Sequence, residues 1–315
     1  MIKVIQYNEE NKELWDDFIQ TSTKPMFMFN RNYMDYHRDR FTDHSLMFYD
    51  DKKLVSVLPM NIMNDRLYSH GGLTFGGFFF DCSLKQHEMN DCFQALIDYS
   101  KKNNIKEIIY KSVPSIYSNE PSEEDRYALY LHHASLEKVE ASTAIKFENP
   151  IKMPKGRKAQ ISRARREGVV IEEKTSEEDY FDFIELENSV LEKYHDTKAV
   201  HTGAELFLLH SRFPENIHLF AAMCDGEMIA GTVIFEYPSV IHTQYMAADE
   251  TAREIGALDL TIKTVMDKYS SNKKYLDFGI STEQDGYFLN TGLISQKEGF
   301  GGRTIVYETY KLPIL

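Results

Sequence analysis

Asp277 and His70 are the two side chains of this sequence best suited to accept a proton from a substrate. Asp277 follows the pair Tyr275–Leu276, and a carboxylate at the end of a buried strand in an α/β sheet faces the crevice where ligands bind. It would take a proton from an ammonium group, directly or through water. The alternative is a structural aspartate that binds the backbone amides of residues 279–281. An unperturbed histidine titrates near neutral pH, so we predict that His70 acts as a base or binds a substrate hydroxyl. The alternative is a histidine satisfied inside a glycine-rich bulge.

His70 opens the run His-Gly-Gly-Leu-Thr-Phe-Gly-Gly, which holds four glycines in eight residues. Glycine has no Cβ, so such a run lets the backbone approach a ligand closely. We therefore predict that Gly72, Thr74 and Gly76 bind a substrate.

The segment from Arg253 to Ala257 lies between a predicted strand and a predicted helix. The first turn of a helix presents unpaired N–H groups and the positive end of the helix dipole, which favours a phosphate. Arg253 would add charge to these donors. We predict that a phosphate-bearing cofactor binds Arg253, Gly256, Ala257 and Leu258. The alternative is an ordinary helix entry with a surface arginine.

Residues 155–166, KGRKAQISRARR, form the only basic run in the sequence. On a helix, Ile161 and Ala164 would face inward. The cationic side chains would then stay solvated; they are Arg157, Lys158, Arg163, Arg165 and Arg166. The functional alternatives are contact with the phosphates of a small ligand or with those of an RNA.

The candidate residues lie on elements that recur in two halves of the chain, offset by roughly 170 residues. The first half predicts a strand at 68–75, a helix at 86–102 and a buried strand at 107–111. The second half predicts the same series at 240–247, 257–269 and 275–279. Two prolines and a glycine interrupt the pattern at 149–156. We therefore predict an N-terminal domain at residues 1–150 and a C-terminal domain at 151–315.

Composition limits the classes of function. The chain has 315 residues, of which 42% are hydrophobic and 27% charged, as in soluble globular proteins. Its net charge of −13 argues against a general nucleic-acid binder. The cysteines and histidines lack the spacing of metal ligands, so we predict no metal. The sequence shows neither an apolar signal core nor a stretch long enough to span a bilayer, so we predict a cytoplasmic protein without a membrane partner.

Three places in the sequence resemble the GNAT acyltransferases, most closely the double-GNAT branch of Fem-type peptidyltransferases and CelD-like polysaccharide acetyltransferases. They are the Arg253-x-x-Gly256-Ala257 turn, the segment from Leu276-Asp277-Phe278-Gly279 to Gly299-Phe300, and the glycine-rich run at 70–77. The resemblance implies an α/β (α+β) fold of two tandem GNAT-like domains, each a mixed twisted sheet flanked by helices. It also implies that acyl-coenzyme A (acyl-CoA) is a cosubstrate of the C-terminal domain. Amides of Tyr245, Met246 and Ala247 would then polarise the thioester carbonyl.

The sequence departs from the family pattern at two positions. Leu258 stands where the turn usually has a small residue next to the pyrophosphate. Ser295 stands where many members have a tyrosine that protonates the leaving thiolate. The family's general acid therefore has no counterpart here, and either another group serves or the thiolate departs with the help of solvent.

The resemblance implies an N-acyltransferase that moves an acyl group from acyl-CoA to an amine. CelD-like relatives favour a nucleotide-linked amino sugar in surface polysaccharide biosynthesis as the acceptor. Further substrate-binding residues are predicted to be Ser281, Glu283, Asn290 and Lys297. One alternative is an aminoacyl-tRNA-dependent Fem-type peptidyltransferase, which the acidic net charge disfavours. The other is a non-catalytic ligand-binding GNAT pair, which the residues at 258 and 295 favour. The oligomeric state, a homodimer included, is left open.

Overall fold

A computed structural model describes residues 1–195 and 197–315. The strands are β1 (Ile2–Gln6), β2 (Thr42–Asp43), β3 (Leu46–Asp50), β4 (Lys53–Leu58), β5 (Asn61–Met63), β6 (Arg66–Tyr68), β7 (Phe79–Phe80), β8 (Glu107–Lys111), β9 (Ser135–Lys146), β10 (Val170–Lys174), β11 (Ile217–Cys224), β12 (Glu227–Glu236), β13 (Val240–Ala248), β14 (Tyr275–Ile280), β15 (Thr282–Glu283), β16 (Phe288–Leu289) and β17 (Arg303–Pro313). The helices are α1 (Lys12–Thr21), α2 (Arg31–Met34), α3 (Gln86–Lys102), α4 (Glu124–Leu131), α5 (Lys155–Arg166), α6 (Glu177–His195), α7 (Gly203–Arg212), α8 (Glu250–Ile255), α9 (Ala257–Tyr269) and α10 (Thr291–Glu298).

The described residues fall into two compact units. Unit 1 comprises Met1–Ala141, Thr282–Phe288 and Ile305–Leu315, and unit 2 comprises Ser142–Ser281 and Leu289–Thr304. The predicted division into domains at residues 1–150 and 151–315 stays a prediction.

Unit 1 is built on β-strands covered by the predicted helix at residues 86–102, which is confirmed as α3. Met89, Cys92, Phe93 and Leu96 recur at helical spacing and are buried in one hydrophobic core. Strand β8 lies parallel to β6 and antiparallel to the part of β17 that belongs to this unit. The sheet of unit 1 is therefore mixed, as predicted.

Unit 2 contains the strand order β10-β11-β12-β13-β14-β9, in which β13 and β14 are parallel and the other pairs antiparallel. The turn between β11 and β12 has positive φ at Asp225 and Gly226, as a two-residue hairpin requires. Helix α9 packs Ile262 and Val265 into a core on one side of the sheet. On the other side Phe183 of α6 packs so closely that a Cβ at Gly231 would lie 3.0 Å from its ring. Helices thus cover both faces of a mixed sheet.

The strand predicted at 68–75 is wrong beyond its first residue. Strand β6 ends at Tyr68, and His70 adopts a φ of 59°. This left-handed conformation breaks an extended strand. The chain then folds back as a loop that reaches Gly76, which forms an isolated parallel bridge with Ser112.

No helix among residues 1–195 and 197–315 combines the length and the apolar character that a membrane crossing needs.

Candidate active site

Strands β13 and β14 pair over a short length and then part. Residues 240–242 lie opposite residues 275–277 in parallel register. Beyond that point β13 continues along β12 to Ala248, whereas β14 turns to β9, where Ile280 lies opposite Ser142. In the described part of the chain, a gap therefore opens beyond the carboxyl ends of the paired segment. We call it the strand gap, and ligands of α/β sheets bind at such places.

Two backbone irregularities shape the strand gap. In β13 the register with β12 passes from Tyr245 to Thr243 and skips Gln244, which is a β-bulge. In β14 the φ of Gly279 is 72°, and the register with β9 shifts between Asp277 and Ile280. Bulges bend a strand and re-aim its side chains, and they are over-represented next to active sites.

The bulge brings His242 and Tyr245 to one face of the sheet although they are three residues apart. Phe235 and Val233 are two apart on β12 and therefore share a face. Their partners opposite are His242 and Tyr245, and residues directly opposite share a face as well. Asp277, opposite His242 on β14, joins them.

Asp277 is the buried centre of this polar group, with 0% of its surface exposed. Its Oδ1 accepts hydrogen bonds from Ser142 Oγ at 2.6 Å and from Gly279 N at 3.0 Å. Its Oδ2 lies 3.7 Å from Nδ1 of His242, which is 7% exposed. The carboxylate is therefore held by the protein on one oxygen and faces an imidazole with the other. An aspartate so placed can orient a histidine.

Lys297 fixes the bend after Asp277. Its Nζ donates to the carbonyl oxygen of Gly279 at 2.9 Å and to that of Ile280 at 2.6 Å. Burial lowers the pKa of Lys297 to about 8, an effect that the charge of Asp277 opposes. Lys297 thus supports the end of β14; its predicted contact with a substrate stays a prediction.

Of the other residues predicted to bind substrate in this region, two are linked by the backbone. Asn290 N donates to the Ser281 carbonyl at 3.0 Å, and Asn290 Oδ1 caps α10 by accepting from Leu293 N at 3.0 Å. The hydroxyl of Ser281 is buried without a hydrogen-bond partner among the described residues. Glu283 is exposed in β15 and belongs to unit 1. All three substrate assignments stay predictions.

The residues predicted to hold the thioester lie in the part of β13 that pairs with β12 but no longer with β14. The carbonyl of Tyr245 accepts a hydrogen bond from Thr232 Oγ1 at 2.8 Å, so that carbonyl is occupied. The Tyr245 hydroxyl lies 2.6 Å from His201 Nδ1. Met246 packs against the core under α9, and Ala247 is buried on the opposite face.

The segment predicted as a phosphate-binding turn is helical up to Ile255. Arg253 lies in α8, where its Nε donates to the Ala248 carbonyl at 3.1 Å. Gly256 joins α8 to α9 with a φ of 81°, and a Cβ there would lie 2.8 Å from Gln160 of α5. The glycine is thus explained by the junction and by the packing of α5. Ala257 and Leu258 form the first turn of α9, and phosphate binding there stays a prediction.

The basic run is helix α5, and its predicted inner face is confirmed because Ile161 and Ala164 are buried. The prediction that Arg157 stays solvated is wrong. Its guanidinium pairs with Asp259 of α9, donates to the Gln296 carbonyl at 2.8 Å and lies over the Phe300 ring at 4.3 Å. The other cations of the run are exposed: Lys155, Lys158, Arg163, Arg165 and Arg166.

His70 and its glycine-rich run belong to unit 1. His70 is 2% exposed, and burial lowers its pKa to about 3, assisted by His37 and Lys111. A Cβ at Gly72 would lie 2.4 Å from His37, and one at Gly76 would lie 2.0 Å from the Ser69 carbonyl oxygen. Close packing of the chain on itself therefore explains these glycines. Thr74 is exposed; the predicted roles of His70, Gly72, Thr74 and Gly76 stay predictions.

Sequence reasoning missed Ser142, His242 and His201. Ser142 is separated from Asp277 by 135 positions, so no local pattern connects them. His242 has a local signal, because it occupies an otherwise apolar strand start, Val240-Ile241. His201 lies between two helices and shows no pattern of its own. The prediction of no metal stays open, although no cluster of three metal-ligating side chains occurs in residues 1–195 and 197–315.

Residues 155–288 match the sequence model of the acetyltransferase (GNAT) domain family. This stretch of the C-terminal part of the chain is therefore similar to a GNAT acetyltransferase domain. No curated protein matches the chain.

Several solved structures share the fold. FemX aligns over 99% of this chain and 97% of its own, with a TM-score of 0.69 and 10% identity. L-PGS from Bacillus licheniformis aligns over 98% and 93%, with a TM-score of 0.65 and 12% identity. A tandem GNAT protein from the clavulanic acid biosynthesis pathway aligns over 100% and 99%, with a TM-score of 0.58 and 10% identity. The predicted fold class, α/β with two tandem GNAT-like domains, is confirmed.

Proposed function

We propose that the protein is an N-acyltransferase that moves an acyl group from acyl-CoA to an amine in the strand gap of unit 2. The observation that carries the proposal is the pair His242–Asp277, which stands at the end of the gap where β13 and β14 still pair. A histidine oriented by a buried carboxylate is a suitable base for an amine, because amines must lose a proton to attack.

The donor would lie along the residues of β13 that no longer pair with β14. Backbone amides of Tyr245, Met246 and Ala247 would polarise the thioester carbonyl. The phosphates would lie toward the first turn of α9, where Arg253 and the helix dipole favour negative charge. The acyl group would then point to the closed end of the gap, next to His242.

The reaction is a direct transfer. The amine nitrogen forms a bond to the carbonyl carbon, its proton passes to His242, and the carbon–sulfur bond breaks with its electron pair going to sulfur. Asp277 stabilises the imidazolium that forms, so it acts through His242 rather than on the amine itself. Holding amine and thioester together supplies much of the acceleration.

The acceptor would be a nucleotide-linked amino sugar in the biosynthesis of a surface polysaccharide, in a cytoplasmic protein. The acidic net charge of −13 supports a small acceptor over a nucleic acid.

The test is mass-spectrometric detection of product after incubation with acetyl-CoA and a panel of amines that includes UDP-glucosamine, glucosamine and lysine amide. We expect transfer to at least one amine, with a loss in the Asp277→Asn variant while acetyl-CoA binding survives. If the unmodified chain transfers to none of them, the acyl-CoA mechanism is wrong.

A second candidate is transfer from an aminoacyl-tRNA. The exposed cations on α5 favour it, because clustered Lys and Arg side chains bind phosphates of nucleic acids. The test is filter binding of charged tRNA at two salt concentrations. In the variant Lys158→Glu/Arg165→Glu/Arg166→Glu, binding and its salt dependence should both fall if this candidate is right. Salt-independent or absent binding by the unmodified chain would contradict it.

A further inference from the structure

Tyr245 and His201 form a hydrogen-bonded pair beside the unpaired part of β13. The Tyr245 oxygen lies 2.6 Å from His201 Nδ1, and the backbone N–H of His201 donates to the same oxygen at 3.3 Å. The rings meet edge to face at a centroid distance of 5.8 Å and an angle of 90°. Two contacts from one residue fix the position of this phenol.

The histidine of the pair is itself held in place. His201 is buried at 6% exposure and follows Ala199, whose N–H donates to Asn188 Oδ1 of α6 at 2.9 Å. Thr202, the next residue, caps α7 through a reciprocal bond pair with Glu205. The segment that carries His201 is thus anchored to helices on both sides. Tyr245, in contrast, is half-buried.

The pair lies where the leaving group of a donor would be. Tyr245 is three residues beyond His242, about 10 Å along the strand, and the bulge at Gln244 places both side chains on the same face. In the proposed position of the donor, with the acyl group next to His242 and the phosphates toward α9, the thioester sulfur would lie between them. Position 295, where the family pattern has a tyrosine, holds an exposed serine of α10 instead.

Building on the proposed function, we infer that Tyr245 is the acid that protonates the leaving sulfur, with His201 as the positioning residue that stabilises its phenolate. When the carbon–sulfur bond breaks, the electron pair goes to sulfur and the Tyr245 proton follows it, which yields the free thiol. The phenolate left behind accepts hydrogen bonds from the His201 backbone N–H and, in the Nδ1–H tautomer, from its ring. Solvent returns the proton before the next turnover. Hydrogen bonding to the charged form of an acid makes it stronger.

The experiment is the pH profile of kcat for acetyl transfer from acetyl-CoA to the best amine of the panel above. We compare the unmodified chain, Tyr245→Phe, His201→Ala and a chain with 3-fluorotyrosine incorporated at position 245. Tyr245→Phe should lose about 10²-fold in kcat, the scale of general acid catalysis, together with the basic limb of the profile. The fluorinated phenol, which is more acidic, should move the basic limb to lower pH. His201→Ala should move it to higher pH, which a purely structural role would not do.

Calorimetric titration with acetyl-CoA checks that each variant is folded and binds donor, and Tyr130→Phe, at a tyrosine 79% exposed, is the matched control. An unchanged basic limb in the fluorinated chain, or an unchanged kcat in Tyr245→Phe, overturns the assignment of the acid while the transferase stands. If the unmodified chain transfers to no amine, the proposed function fails and the assignment fails with it. The fluorinated chain keeps the ring and hydroxyl, so it decides the question even if Tyr245→Phe does not fold.

Discussion

Units 1 and 2 each contain a short parallel strand pair, and they differ in what lies beyond it. In unit 1, β6 and β8 pair over residues 66–68 and 107–109. The chain then returns, so that Gly76 N donates to the Lys111 carbonyl at 2.9 Å and Gly76 bridges Ser112. In unit 2, β13 and β14 pair over a similar length and part, with no described strand between them. The protein's own backbone thus continues the parallel pairing in unit 1 at the point where the pairing ends in unit 2.

The comparison shows why a glycine-rich run is an ambiguous signal. Glycine permits close approach of a backbone to whatever lies beside it, whether a ligand or the same chain. In unit 1 the neighbour of Gly76 is the carbonyl of Ser69. In unit 2 the polar group at the strand end is instead assembled from side chains, Asp277, His242 and Ser142.

Replacing His242 should have the largest effect on acetyl transfer and should separate the two units most clearly. His242→Gln should reduce acetyl transfer by about 10³-fold, or about 4 kcal/mol, because the base that accepts the amine proton is lost. His70→Gln tests the corresponding region of unit 1, and its loss should be smaller by at least about tenfold. Initial rates at saturating acetyl-CoA measure both. A larger loss in the His70 variant would assign the chemistry to unit 1.

Adding a side-chain carbon at Gly76, in the loop of unit 1 that packs on its own backbone, should reduce stability. Gly76→Ala should lower the free energy of unfolding by about 4 kcal/mol, because the new Cβ would collide with a backbone oxygen that cannot move freely. Gly292→Ala is the matched control, since the nearest atom to its Cβ is 3.6 Å away. Urea denaturation measures both variants. Equal stabilities of the two would show that the run is not packed as described.

Both units hold a desolvated lysine beside the strand end, Lys111 half-buried and Lys297 buried, and the two should give the same pH response. Lys111 donates to the Leu73 carbonyl, and Lys297 donates to those of Gly279 and Ile280. Burial lowers the pKa of each to about 8. An unfolded lysine keeps its proton to about pH 10.4. Between pH 8 and 10 the unfolded state therefore binds more protons, and the free energy of unfolding should rise with pH, by up to about 3 kcal/mol for each lysine.

The variants Lys111→Met and Lys297→Met should each remove one share of that rise, whereas Lys52→Met, at an exposed lysine, should remove none. Urea denaturation at pH 8, 9 and 10 measures the slope. If neither Lys111→Met nor Lys297→Met changes the slope of the free energy of unfolding against pH, the desolvation of both lysines is contradicted.

Removing the Ser142 hydroxyl should have the smallest effect. Ser142→Ala deletes one hydrogen bond to the Asp277 carboxylate, and a bond to a charged group contributes about 1.5 kcal/mol. We expect a loss of stability of that size, with a drop in transfer far below that of His242→Gln. Thermal unfolding and initial rates measure the two effects. A loss of transfer as large as that of His242→Gln would place Ser142 in the chemistry itself.

The sequence predicted those elements whose signals are local. Helix α9 and strands β13 and β14 were expected from the series of elements that recurs in the two halves of the chain. The lysine contacts and the pairing of Ser142 with Asp277 could not be predicted, because they join residues far apart in sequence. Arg157 illustrates the same limit, since its burial depends on Asp259, 102 positions away.

The candidate site was predictable in part for the same reason. Asp277 was singled out by its place at a strand end. That it acts with His242 follows from the parallel register of two strands, which are separated by two helices in the chain. The bulge at Gln244, which brings Tyr245 to the face of His242, leaves no mark in the amino-acid pattern.

Calorimetric titration of the full chain with acetyl-CoA, repeated with Arg253→Ala, tests most directly whether unit 2 holds an acyl donor. We predict a micromolar dissociation constant that weakens by about tenfold in the variant, which corresponds to about 1.4 kcal/mol. The absence of binding at millimolar acetyl-CoA would contradict the account.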